Sequence, residues 1–96
     1  MNITFVTDIF QGMTDDGTRP DLAAGSAQWT VETETSHSLI FICPCGCSKV
    51  RSVPVKGPRK WHWDGNPELP TVTPSILIIG ECGWHGFLTA GQWRTV

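Results

Sequence analysis

The sequence predicts an all-β domain of mainly antiparallel strands, a small sandwich or open barrel with a zinc-knuckle-like metal site and little or no helix. Three observations carry this expectation. The stretch W-T-V-E-T-E-T (29–35) alternates large or β-branched residues with polar ones, the period of a half-buried strand. The run S-L-I-F-I-C (38–43) is continuous, apolar and of strand length, which suits a strand buried on both faces. No segment longer than one turn repeats at helical spacing, and 10 Gly and 7 Pro punctuate a chain of only 96 residues.

In chain order, residues 3–10 alternate Ile3, Phe5 and Thr7 against Thr4, Val6 and Asp8 and are predicted as the first strand. Residues 11–26, rich in Gly, Asp and Thr, read as a long loop, with a single turn capped by Asp21. Strands follow at 29–35 and 38–43. A further strand at 50–55 contains Pro54, which cannot donate to a ladder and so belongs at an edge or a bulge. K-G-P-R-K (56–60) is a turn, and Asp64-Gly65-Asn66-Pro67 is another. Pro70 and Pro74 force extended backbone around T-V-T. Ile76 to Ile79 form a strand, and the C-terminal segment is a hairpin turning at Ala90-Gly91, where Ala suits positive φ poorly.

We read residues 1–96 as a single domain, with an N-terminal strand and acidic loop (1–36) and a zinc-binding β core (37–94). A chain this short closes a modest core and benefits from a staple. Residues 1–38 carry the acids Asp8, Asp15, Asp16, Asp21, Glu32 and Glu34 against Arg19 alone, whereas residues 49–60 carry Lys49, Arg51, Lys56, Arg59 and Lys60 and no acid. The N-terminus lacks the basic start of a secretory signal, and the apolar stretch I-L-I-I (76–79) is too short to span a bilayer. A cytoplasmic location in a bacterium or a phage-infected host cell, with no membrane partner, is therefore expected. In a reducing compartment cysteines serve as metal ligands more often than as disulfides.

The four cysteines fall in two clusters, C-P-C-G-C (43–47) and C-G-W-H (82–85). Zinc takes four tetrahedral sulfur or nitrogen ligands, commonly from two short-spaced groups. The candidate ligands are Cys43, Cys45, Cys47, Cys82 and His85, four of which would hold a structural Zn2+. Cys82 and His85 form the more clearly written half, because a Cys-x-x-His step aims thiolate and imidazole at one point. That leaves two places for three cysteines, and hence one spare thiol. A Rieske cluster is excluded by the absence of histidine from the first group, and a zinc deaminase by the absence of H-x-E before C-x-x-C. Five candidate ligands imply no open coordination position, so a catalytic metal with Glu81 or Asp64 as base is the lesser expectation.

The segment K-V-R-S-V-P-V-K-G-P-R-K-W-H-W interleaves cations with aromatics, a pattern that can hold a nucleic-acid strand through phosphates and stacked bases. Lys49, Arg51, Arg59, Lys60, Trp61 and Trp63 are the candidate binding residues. Trp61 and Trp63 also sit at strand spacing, as core-packing residues do.

Taken together, F-I-C-P-C-G-C, W-H-W-D-G-N, P-T-V-T-P-S-I and C-G-W-H-G-F-L-T-A-G resemble a family of small bacterial and phage proteins known as a domain of unknown function, DUF family 6527. The resemblance spans about residues 37 to 94, and Ser48 stands where relatives often continue with Gly. It implies a metal site built from the four cysteines and His85, and a setting in phage genomes or beside bacterial ubiquitin-like conjugation genes. The function expected is a non-catalytic, zinc-stabilised protein-binding or adaptor module acting as monomer or homodimer, possible phage origin included. A nucleic-acid-binding module and a zinc metalloenzyme are the alternatives.

Overall fold

A computed structural model describes residues 1–80 and 82–96. The described residues contain eight strands and no helix: β1 (Thr4–Phe5), β2 (Ser26–Trp29), β3 (His37–Ile42), β4 (Val50–Lys56), β5 (His62–Trp63), β6 (Val72–Leu77), β7 (His85–Thr89) and β8 (Gln92–Thr95). They form two four-stranded sheets, ordered β1-β2-β3-β4 and β5-β6-β7-β8. Every neighbouring pair is antiparallel except β1 and β2. The expected all-β class is thus observed.

One core joins the sheets. Ala27, Leu39, Phe41 and Val53 enter it from the first, Val72, Ile76, Leu88 and Trp93 from the second, and Cys43 and Trp84 from the segments flanking β3 and β7. Phe41 is fully buried and stacks on Trp93 with ring centroids 4.7 Å apart. Truncating such a side chain to Ala removes about 3–5 kcal/mol of stability. The opposite face of β3 presents Ile40 and Ile42 to Ile9, Val6 and Leu22 of the N-terminal loop. The S-L-I-F-I-C run therefore lies buried on both faces, and β4 carries Pro54 at the sheet edge.

Three strand expectations shift, and the strand expected at Ile76 to Ile79 is observed earlier, at Val72–Leu77. The first strand contracts to Thr4–Phe5, because the chain then bends so that the Ile9 backbone N–H can donate to the Gln28 side chain at 2.7 Å. The strand expected at 29–35 lies earlier, at 26–29. A turn closed by the Thr33 N–H on the Ser36 carbonyl takes over from there, and Val31 is left 86% exposed. Alternation in this stretch followed polar turn chemistry instead of a buried face. At the C-terminal hairpin both turn residues have positive φ, 47° at Ala90 and 74° at Gly91, as a type I′ turn demands.

Candidate functional site

The C-P-C-G-C segment leaves the end of β3 and folds tightly. The Gly46 N–H donates to the Cys43 carbonyl, and the Cys43 N–H donates to the Lys49 carbonyl. Gly46 makes this possible with φ of 94°, a conformation costly for any residue with a Cβ. The turn draws all three sulfurs to one side, where Cys82 meets them from the second sheet. The four Sγ atoms lie within 4.8 Å of one another, with Cys43 3.3 Å from Cys45 and 3.5 Å from Cys82. Such separations are far beyond a disulfide bond of about 2.05 Å. They approach the roughly 3.8 Å edge of a sulfur tetrahedron around an ion with metal–sulfur bonds of about 2.3 Å. Four cysteines so placed could hold a metal ion.

The surroundings sort the thiols. Burial pushes the Cys43 thiol well above its ordinary range. Cys82 is brought down to about 6, chiefly by a hydrogen bond from the Trp84 backbone, with the neighbouring sulfurs and Arg51 adding to it. Arg51 pairs with Phe41 across β3 and β4, so its side chain follows Phe41 inward and its Nη2 donates to Cys82 Sγ at 3.5 Å. Its Nε is buried without a hydrogen-bond partner among the described residues.

His85 does not join the sulfurs. It opens β7, where it registers with Leu77 of β6, and directly opposed residues in an antiparallel pair project to the same face. Its imidazole therefore lies over the outer face of β6, where Nε2 stands 2.9 Å from Ser75 Oγ. The three-residue step from Cys82 that was expected to aim both groups at one metal instead spans the change from loop to strand and turns them apart. All three sulfurs of the first cluster lie with Cys82, and the fifth candidate ligand, His85, stands elsewhere. Glu81 lies outside the described residues. Asp64 is occupied as a turn acceptor, taking N–H bonds from Asn66 and Thr71 at 3.1 and 3.3 Å.

A serine hydroxyl at hydrogen-bond distance from an imidazole is the arrangement that activates serine as a nucleophile. Both side chains are half-buried. The Trp61 indole N–H donates to the Ser75 carbonyl at 3.2 Å and braces this stretch of β6 from the β5 side. A cleft of about 270 Å³ is lined by Val55, Lys60, Trp61, His62 and Trp63, and of these Trp61 reaches Ser75. Among the described residues no carboxylate hydrogen-bonds the other ring nitrogen of His85. Sequence reasoning did not single out Ser75. The available signal was its place in the P-T-V-T-P-S-I motif together with a histidine ten residues on.

The remaining candidate binding residues disperse. The Lys49 ammonium donates to the Asp16 carbonyl at 2.7 Å, and Arg51 faces the sulfurs. Arg59 and Lys60 are exposed in the turn before β5. Trp63 packs on Trp29 at 4.4 Å and donates its indole N–H to the Asn66 carbonyl.

Comparison with known proteins gives one family. Residues 14–96 match the family model described as "Bacterial ubiquitination-like system serine protease (BubE)". No curated protein and no solved structure matches the chain. The match corrects two expectations. The resemblance to a family of unknown function gives way to a family described by its activity, and the match reaches back to Thr14. The reading of a non-catalytic adaptor is overturned by that description, and the enzyme alternative fits better. The adaptor reading followed from counting five candidate ligands, a number that implies no open coordination position for a catalytic water. By this match the chain belongs to the BubE family of bacterial ubiquitination-like system serine proteases.

Proposed function

We propose that this protein is a serine peptidase that cleaves a peptide or isopeptide bond made by a ubiquitin-like protein, with Ser75 as nucleophile and His85 as general base. The observation that carries this reading is the 2.9 Å approach of His85 Nε2 to Ser75 Oγ in a chain of a serine protease family. As Oγ bonds to the scissile carbonyl carbon, Nε2 takes the hydroxyl proton. The tetrahedral adduct collapses with cleavage of the C–N bond, and the imidazolium returns the proton to the departing amine. Water then attacks the acyl-serine ester while His85 accepts its proton, releasing the acid and restoring the hydroxyl.

The metal serves the fold in this reading. Cys43, Cys45, Cys47 and Cys82 would hold Zn2+, for which four thiolates complete a tetrahedron and leave no open position for water, the mark of a structural site. Unbridged cysteines suit a reducing cytoplasm. The partner is a protein, the ubiquitin-like substrate or its conjugate.

A fluorophosphonate probe followed by peptide mapping tests the assignment. Modification is expected on Ser75, absent in Ser75→Ala, and slowed on the order of a thousandfold or more in His85→Ala. Modification at another serine, or undiminished cleavage of conjugates by Ser75→Ala, would overturn it.

A further inference from the structure

The strand that carries Ser75 has an unpaired edge beside it. Ile78 donates its N–H to the Trp84 carbonyl at 2.7 Å, and Ile76 and Leu77 register with Gly86 and His85. In an antiparallel ladder alternate residues turn their N–H and C=O to the same neighbour. Ile76 and Ile78 thus face β7, and Leu77 turns its backbone groups the other way. On that other side β5 reaches only Val72 and Thr73, and the Trp61 indole covers the Ser75 carbonyl. Beyond that point, among the described residues, no strand pairs with β6.

The side chains along this edge are apolar and exposed. Leu77 is 55% accessible and Ile79 89%. Natural sheets blunt an open edge with charge, proline or a covering segment. Here Leu77 and Ile79 do none of these, and the exposed strip is continuous with Ser75 and His85.

Resting on the assignment of Ser75 and His85 above, we propose that the open edge of β6 at Leu77 is the substrate-binding rail. The extended segment preceding the scissile carbonyl pairs with the Leu77 backbone as an added strand. Its apolar side chains lie beside Leu77, and its carbonyl is delivered to Ser75 Oγ. Main-chain pairing of this kind supplies affinity while alternate side chains supply specificity. Two strand residues span roughly 7 Å, so a segment registered on Leu77 passes Ser75 within about two residues. The substrate class is therefore a flexible, extended tail with apolar residues at alternate positions.

Peptidyl phosphonates test this on the wild-type protein. Ser75 Oγ attacks phosphorus and expels phenol, so the labelling rate, read by intact mass, reports how well the peptide portion is held. Acetyl-Leu-Val-Leu-Gly diphenyl phosphonate is compared with acetyl-Gly diphenyl phosphonate and with versions N-methylated at each successive residue. The tetrapeptide is expected to label at least roughly tenfold faster than the short probe, the size of one good hydrogen bond. N-methylation should slow it at alternate residues only, and Leu77→Pro, which removes the edge N–H, should erase the advantage of the longer probe. Equal rates for long and short probes, or uniform sensitivity to N-methylation, would sink the rail while leaving the nucleophile assigned. Should neither probe modify Ser75, the peptidase reading falls, and the rail with it.

Discussion

Cys43 follows the last residue of β3 in one sheet and Cys82 precedes β7 in the other, yet their sulfurs stand 3.5 Å apart across 39 positions of sequence. An ion held by both would staple the two sheets at the base of the shared core. A 96-residue chain gains from such a staple, since a small domain buries a limited fraction of its surface.

Metal removal should accordingly loosen the whole domain. If the link acts as a covalent one does, closing a loop of this length contributes about 4 kcal/mol through the unfolded chain's lost entropy. We expect a strong chelator, or Cys82→Ser, to lower the urea midpoint sharply. Retention of one equivalent of zinc by Cys82→Ser with an unchanged midpoint would contradict the four-sulfur site.

Arg51 should set how tightly that metal is held. Four thiolates around a divalent cation carry a net charge of about −2, and the guanidinium beside Cys82 offsets part of it. Partners that support metal ligands typically change affinity by about 10–100-fold when removed. Arg51→Met is therefore expected to weaken zinc binding within that range in competition with a chromophoric chelator, and Arg51→Lys less so. An affinity unchanged in Arg51→Met would show that the guanidinium only fills space.

Glycine at position 86 keeps β7 close to its neighbours. A Cβ there would run into the Arg94 carbonyl oxygen and the Trp84 ring. Gly86→Ala should destabilise the fold by about 1–3 kcal/mol, the range for overpacking a filled site. Because β7 also carries His85, peptidase activity should fall further than stability does. Calorimetry together with probe labelling at a temperature where the variant is fully folded separates the two effects.

Acid sensitivity should arise in part from Asp21. The hydrogen bonds from Arg19, whose Nε and Nη2 reach both carboxylate oxygens at 2.9 and 2.8 Å, hold this carboxyl below its ordinary 3.8. A depressed folded-state value means the contribution is complete above 3.8 and is lost as pH falls toward and through the lower folded value. Asp21→Asn should lower stability at neutral pH and flatten its decline below pH 3.8. Parallel pH curves for variant and wild type in urea titrations would rule this out.

Much of the architecture was legible along the chain because the relevant physics is local. The apolar run 38–43 could be buried on both faces only as an interior strand, Pro54 had to sit at an edge, and Ala90-Gly91 had to turn. The misplaced strand at 29–35 shows where locality misleads: threonine and glutamate alternation is compatible with a turn, and only the position of Val31 against solvent distinguishes the two.

The sequence by itself determined an all-β chain with a three-cysteine cluster and a distant fourth cysteine able to converge. Tertiary structure decided what His85 does. Spacing from Cys82 made it a metal ligand as readily as any other residue, but the register of β7 on β6 places it opposite Leu77 and beside Ser75, away from the sulfurs. Which groups meet across a sheet depends on strand pairing between distant segments. That pairing is set by burying Ile76, Leu88 and Trp93 in a common core, a requirement that belongs to the folded whole.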